Sequence, residues 1–174
     1  MTGLVAYIPP QGLARLAANP PALFLPSEKA AERFFGFFGA NIRNPNTRRA
    51  YYKAACRFSQ WCRGRGLHEL AAVKPLHVAA YIEAAQGELS KPTVKQHLAA
   101  LRMLFDWLVI GHVLEVNPAH AVRGPKYVVK KGRTSVLDRE EARALIARID
   151  TSSLTGLRDR ALIGVMIYTF ARIG

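Results

Sequence analysis

A chain of 174 residues, half of them apolar, can bury one ordinary core and part of a second. Its 25 lysines and arginines against 12 acidic residues leave a formal charge of +13, which favours a polyanionic partner. The opening Met-Thr-Gly-Leu-Val-Ala-Tyr-Ile-Pro-Pro lacks the basic n-region and long apolar run of a signal peptide. The longest apolar run, Leu162 to Ala171, is about half of the roughly 20 residues that span a bilayer.

Cys56 and Cys62 fall in one helical pattern about 9 Å apart along its axis, too far for a disulfide. The five histidines are scattered, with no metal-ligand spacing. The expectation is therefore no metal, no small-molecule cofactor and no membrane, in a cytoplasmic, nucleoid-associated protein. The charge is concentrated: residues 1–44 carry a net +2, residues 45–134 a net +10 and residues 135–174 a net +1.

In chain order, residues 1–27 hold five prolines and read as a poorly ordered N-terminal arm. Glu28 to Ala40 reads as a short helix. Its Phe34, Phe35, Phe37 and Phe38 need a partner surface, in the first place that of their own domain. Asn44-Pro45-Asn46-Thr47 is a helix-start signal, and the helix should run to about Arg63. Tyr51, Ala54, Ala55, Phe58, Trp61 and Cys62 make its apolar face; Arg49, Lys53, Arg57 and Gln60 make a polar stripe, with Arg48 and Arg63 beside it. Arg63-Gly64-Arg65-Gly66 closes it, and without a preceding strand this Gly-x-Gly is no nucleotide loop. A third helix follows Pro75, with Val78, Tyr81 and Ile82 inward.

The stretch from Ser90 to Pro118 organises the rest. Val94, Leu98, Leu101, Leu104, Phe105 and Leu108 recur with helical period, Ser90 is the expected N-cap, Pro92 lies in the first turn, and Gly111 ends the helix. The opposite stripe is Lys91, Lys95, Ala99 and Arg102, flanked by Thr93, Gln96 and Ala100. Basic residues among alanines let a helix backbone approach an anion closely, the pattern of a helix that enters a DNA groove. Gly124, Pro125, Gly132 and five basic residues between Arg123 and Arg133 then make a basic linker. Helical structure restarts at Leu137 with Asp138 as N-cap and Ala142, Leu145, Ile146 and Ile149 inward. Leu157 to Ala171 is a nearly apolar helix that should be buried in a sizeable core. No strand pattern and no internal repeat is present. The expected fold is all-α: a bundle of four or five helices over residues 28–122, a basic linker over 123–136, and the first helices of another domain over 137–174.

The middle segment resembles the SAM-like core-binding domain of the tyrosine recombinases, the phage-integrase and Xer-type site-specific DNA recombinases. The resemblance is carried by Asn-Thr-Arg-Arg-Ala-Tyr at 46–51, Phe-Ser-Gln-Trp-Cys at 58–62, Thr-Val-Lys-Gln-His-Leu-Ala-Ala-Leu-Arg-Met-Leu-Phe-Asp-Trp-Leu at 93–108 and Asn-Pro-Ala at 117–119. Leu-Asp-Arg-Glu-Glu-Ala-Arg-Ala-Leu-Ile at 137–146, Leu-Arg-Asp-Arg-Ala-Leu-Ile at 157–163 and Thr-Phe-Ala-Arg-Ile-Gly at 169–174 resemble the start of that family's catalytic domain.

The resemblance implies DNA recombination or integration on double-stranded DNA, alongside other recombinase subunits. In the Thr47 and Ser90 helices, Arg49, Lys53, Arg57, Lys91, Lys95 and Arg102 would meet phosphates or guanines, and Thr93 and Gln96 base edges. Lys126, Lys130, Lys131 and Arg133 would follow the DNA backbone. Arg172 matches the first catalytic arginine, whose bidentate guanidinium suits a scissile phosphate. Phe170-Ala171 stand where the family has Gly-Leu, and Gly174 where it has a small polar residue. The family's tyrosine nucleophile, second arginine and β-hairpin lysine all lie beyond the position of Arg172. The expectation is thus a truncated recombinase, or a fragment of a longer one, that binds DNA without cutting it. Two alternatives remain: a non-catalytic regulator that occupies recombination sites, and a helical protein-interaction module whose basic faces bind an acidic protein.

Overall fold

In the computed structural model residues 20–128 and 137–169 are described. The chain divides into two compact units, Met1–Tyr127 and Val128–Gly174, each taken by itself. The expectations placed on residues 1–19, on Lys130, Lys131 and Arg133, and on Arg172 lie outside the described residues. Every regular element among the described residues is helical, so the fold is all-α.

Among its described residues the first unit holds four α-helices: α1 (Glu28–Gly36), α2 (Pro45–Arg63), α3 (Pro75–Glu88) and α4 (Lys91–Ile110). The first three begin where side-chain chemistry can replace the missing helical acceptors. Ser27 Oγ accepts from the Ala30 N–H at 3.2 Å. Asn44 Oδ1 accepts from the Asn46 and Thr47 N–H groups at 2.9 and 3.2 Å, with Pro45 at the first helical position. His77 Nδ1 accepts from the Lys74 N–H at 3.1 Å. Ser90 departs from its expected role: it precedes α4, but its hydroxyl shares a 2.8 Å hydrogen bond with Thr93 Oγ1 and caps no backbone N–H. Gly111 ends α4 as expected, and a Cβ there would stand 2.8 Å from the Arg33 side chain.

Helix α4 lies against α1, α2 and α3 and is the central element of this unit. Val94, Leu98, Leu101, Leu104, Phe105 and Leu108 are all buried, as their spacing demands. Ala100, expected on the polar flank, is buried as well. On α2 the buried tyrosine is Tyr52, while Tyr51 and Trp61 are half-buried at the core edge.

The phenylalanine cluster of residues 34–38 is wholly internal. At about 100° per residue its four rings span an arc of only about 160°, so one side of a helix can bury them all. The backbone widens into a π-helical turn at Phe37–Asn41. Phe34 packs edge-on to Phe38 with ring centroids 5.0 Å apart, and Phe38 meets Tyr52 at 5.3 Å.

Residues 20–27 differ from the expected disordered arm. A 3-10 turn, Ala22–Phe24, places Leu23 and Phe24 in the core. Phe24 stacks on Phe34 at 5.3 Å and lies 5.9 Å from Phe105. Two prolines before this turn restrict the unfolded chain as well as the folded one, so they favour docking as readily as disorder.

The second unit contains α5 (Arg139–Ala147) and α6 (Leu154–Thr169). Asp138 caps α5 reciprocally: Oδ1 accepts from the Glu140 and Glu141 N–H groups at 2.8 Å, and Glu141 Oε2 accepts from the Asp138 N–H at 2.9 Å. Helix α6 starts three residues before the expected Leu157, because Ser153 Oγ accepts from the Gly156 N–H at 3.1 Å and opens the helix early. Gly156 is required there, since a Cβ would collide with the Asp150 carbonyl. The expectation of a deeply buried α6 is not met: no residue of α5 or α6 is buried, and Leu157, Leu162 and Val165 are more than half exposed.

Candidate nucleic-acid interface

The basic residues of the first unit sort into two groups by what their cationic heads touch. In the first group the charge is spent on the protein itself. Arg48 donates from Nε and a terminal nitrogen to the Ile42 carbonyl at 3.1 and 2.7 Å, tying the start of α2 to the preceding loop. Lys29 Nζ donates to the His112 carbonyl at 3.0 Å. Arg65 lies 3.9 Å above the Trp61 ring.

Two expected DNA contacts, Arg57 and Arg102, also belong to this group. Arg57 pairs with Glu88 at the end of α3. Arg102, half-buried, donates from Nε to the Ala119 carbonyl at 3.2 Å and from a terminal nitrogen to the Val122 carbonyl. These partners stand 31, 17 and 20 residues away in sequence, so helical spacing alone places the two arginines on outward stripes and misses what holds them.

The second group points outward. Arg49 and Lys53 on α2, Lys91 and Lys95 on α4, and Arg123 and Lys126 in the segment leaving the helical bundle are exposed and form no ion pair among the described residues. Gln96 and Ala99 are exposed on the same outer side of α4. Thr93 is half-buried with its hydroxyl engaged by Ser90, and Thr47 is half-buried in the first turn of α2. Neither α2 nor α4 has an acidic residue in its first turn. The partial positive charge of each helix start therefore adds to its basic side chains, and an approaching anion relieves the repulsion.

The fold brings the two basic helices together. Helices α2 and α4 pack on one another through Phe58 and Phe105, whose rings meet edge-on at 6.0 Å. Arg57 reaches Glu88, three residues before Lys91, so the α2 stripe ends at the start of α4. The exit segment adds a third component. A Cβ on Gly124 would stand 3.1 Å from Leu98 Cδ2 and 4.0 Å from Lys95 Cγ, so the chain passes directly over the Lys95 turn of α4. Arg123 was not among the expected contacts, although it opens the same basic run as Lys126.

Beneath this surface lies a buried polar pair. Tyr81 of α3 and His97 of α4 are joined by a 2.8 Å hydrogen bond between the phenol and Nδ1, with their rings nearly parallel. Burial, and then the nearby Arg57 charge, lower the His97 pKa, so the imidazole is held neutral. Burial raises the Tyr81 phenol. Neither cysteine is disulfide-bonded, and burial pushes the Cys62 thiol up to about 11, which leaves it a packing residue. Among the described residues no cluster of histidine, cysteine and acids could hold a metal ion, and no helix is long and apolar enough to cross a membrane.

The family described as "Phage integrase, N-terminal SAM-like domain" matches residues 38–112, from the π-helical turn to the end of α4. A tyrosine recombinase XerC of Xylella fastidiosa strain M23 is 31% identical over 137 residues, covering 78% of this chain and 46% of the relative. A tyrosine recombinase XerD of Ralstonia nicotianae is 27% identical over 128 residues, 74% of this chain and 41% of the relative. A XerC of Chlamydia muridarum is 33% identical over 92 residues, 53% of this chain and 29% of the relative. The chain thus spans less than half the length of these curated relatives. No solved structure gives a significant match.

Proposed function

The chain belongs to the Xer-like tyrosine recombinase family, and from that premise we propose that it serves site-specific DNA recombination by holding duplex DNA against the outer faces of α2 and α4. The observation that carries this reading is the sorting of cations: Arg49, Lys53, Lys91, Lys95, Arg123 and Lys126 stand outward without an ion pair, while Arg57 is paired with Glu88 and Arg102 is bound to backbone carbonyls. Long cationic side chains left without partners gain most from phosphates, which supply the sequence-independent part of the affinity. Gln96, exposed one residue from Lys95, is the side chain best suited to a base edge.

Assembly with other recombinase subunits on DNA belongs to the same proposal. So does a phosphate-binding role for Arg172, which rests on the Thr-Phe-Ala-Arg-Ile-Gly resemblance alone. In this reading the first unit positions the duplex and does not itself break a bond.

Titrating a fluorescent duplex at several salt concentrations tests the binding. If about six phosphates are neutralised, log K falls against log salt with a slope of about −5. Lys95→Glu and Lys53→Glu should each weaken binding severalfold while leaving the helical signal and unfolding midpoint intact. Affinity that ignores salt, or charge reversals that ignore DNA, would overturn the reading.

A further inference from the structure

We propose that Arg102 is a positioning residue. Its guanidinium clamps the segment leaving the bundle along α4, so that Arg123 and Lys126 stand in line with Lys95 and Lys91 on one anion-facing strip. The proposal rests on the DNA-binding reading above for its consequence, though not for its geometry.

After Ile110 the chain must turn and leave, and nothing in an irregular segment fixes its direction unless side chains do so. Here they do. Asn117 Nδ2 donates to the Arg102 carbonyl at 3.1 Å and to Asp106 Oδ1 at 2.6 Å. Asn117 Oδ1 accepts from the Ala119 N–H at 2.7 Å, which closes an Asx turn. The Arg102 guanidinium then reaches the carbonyls of Ala119 and Val122. A planar guanidinium offers several donors in a fixed fork, so it can fix two carbonyls three residues apart where a lysine ammonium would fix them loosely.

Ala119 and Val122 are buried by this arrangement. The next residue but one, Gly124, lies against Leu98 and Lys95. The segment therefore meets Arg102, then Leu98, then Lys95, and runs back along α4 by about 10 Å towards the helix start. That direction brings Arg123 and Lys126 to the basic end of α4. Released from Arg102, the segment would keep its charges and lose their alignment, and re-forming the two phosphate contacts would cost more ordering entropy than they return, so they would largely go unmade.

Arg102 then acts on DNA only through Arg123 and Lys126, and a double-mutant cycle separates this from direct contact. In duplex titrations Arg102→Ala should weaken binding about tenfold and make the salt slope shallower by about 2, the share of two phosphate contacts. The Arg123→Ala/Lys126→Ala protein should lose a similar factor, and adding Arg102→Ala to it should cost almost nothing further. Arg102→Lys, which keeps the charge, should not restore the full affinity. A full additional tenfold loss in the triple variant, or full rescue by lysine, would overturn the proposal in favour of a direct phosphate contact.

Amide hydrogen exchange supplies a readout without DNA. Residues 119–124 should exchange faster in Arg102→Ala while α4 remains protected, and unchanged exchange would overturn the clamp. If Arg102→Ala fails to fold, Asn117→Ala tests the same segment by exchange and by titration. Absence of salt-dependent binding in the unaltered chain would remove the DNA reading, and the exchange result would still decide whether the clamp exists.

Discussion

In residues 20–127, Phe24, Phe34, Phe58, Val94 and Phe105 have no measurable exposure; in residues 137–169, Leu157 is 52% exposed, Leu162 54% and Val165 57%. Helix α6 is about as apolar as α4, so hydrophobicity alone does not separate the two regions. The number of covering elements within each unit does. Helix α4 is flanked by three other helices and, through Phe105 and Phe24, by the Ala22–Phe24 turn, whereas the described residues of the second unit supply α5 and α6 alone. Two helices can shield only one side of each, and a unit of that size buries too little surface for a closed core. Periodicity states how much cover a helix needs; topology decides how much it receives.

The sharpest way to break this contrast is a pair of truncations. Phe58 touches Phe24, Phe105, Tyr81 and Trp61 from the centre of the first unit. Phe58→Ala should cost about 3–5 kcal/mol, the range for a buried ring whose cavity cannot collapse. Leu157→Ala, on the half-open surface of α6, should stay within about 0.5 kcal/mol. Denaturant unfolding followed by helical circular dichroism reads both, and equal losses would show that the two regions share one core.

Phe24→Ala tests the edge of the first unit. Its ring is fully buried against Phe34 and Phe105, so the substitution should cost about 3 kcal/mol in the same assay. A change below about 0.5 kcal/mol, the level of a surface substitution, would return the segment to the status of a loose arm.

That segment also shows where sequence reading stopped. Helices α2 and α4 were legible because each has a start signal and four or more turns of apolar period, and both end at a glycine. A three-residue turn after two prolines has no period to read, so Leu23 and Phe24 read as part of a poorly ordered arm. Ser153 was legible as a cap only with Gly156 accepted inside a helix, against glycine's usual cost there. The outward lysines followed from helix geometry. The engagement of Arg57 and Arg102 did not, because their partners are fixed by how helices and loops meet rather than by spacing within one helix.

The Tyr81–His97 pair gives the contrast a pH dependence. His97 resists protonation in the folded state, first through burial and then through Arg57; Glu88, which pairs with Arg57, is the acid on this side of α3. The unfolded chain binds a proton more readily, so folding loses stability as pH falls below about 6.5, the ordinary imidazole value. The loss deepens until the folded imidazole also takes a proton, and above neutrality this contribution is constant. Unfolding midpoints of the first unit should therefore drop on acidification, and His97→Gln should flatten that dependence. An equally steep drop in His97→Gln would assign the effect to other groups.

The smallest effects come from the helix caps, where the same chemistry should have different reach. Asn44 caps α2 and Asp138 caps α5, each accepting from two backbone N–H groups. Replacing either by alanine removes about 1 kcal/mol of helix stability. In α2 the helix is locked into a core, so Asn44→Ala should lower the unfolding midpoint of the whole first unit. In α5 no residue is buried, so Asp138→Ala should fray the first turn and speed amide exchange at Glu140, Glu141 and Ala142 while the first unit's midpoint stays put. If Asp138→Ala shifted that midpoint as far as Asn44→Ala does, α5 would be unfolding together with the four-helix bundle rather than on its own, and the two units would have to be treated as one cooperative body.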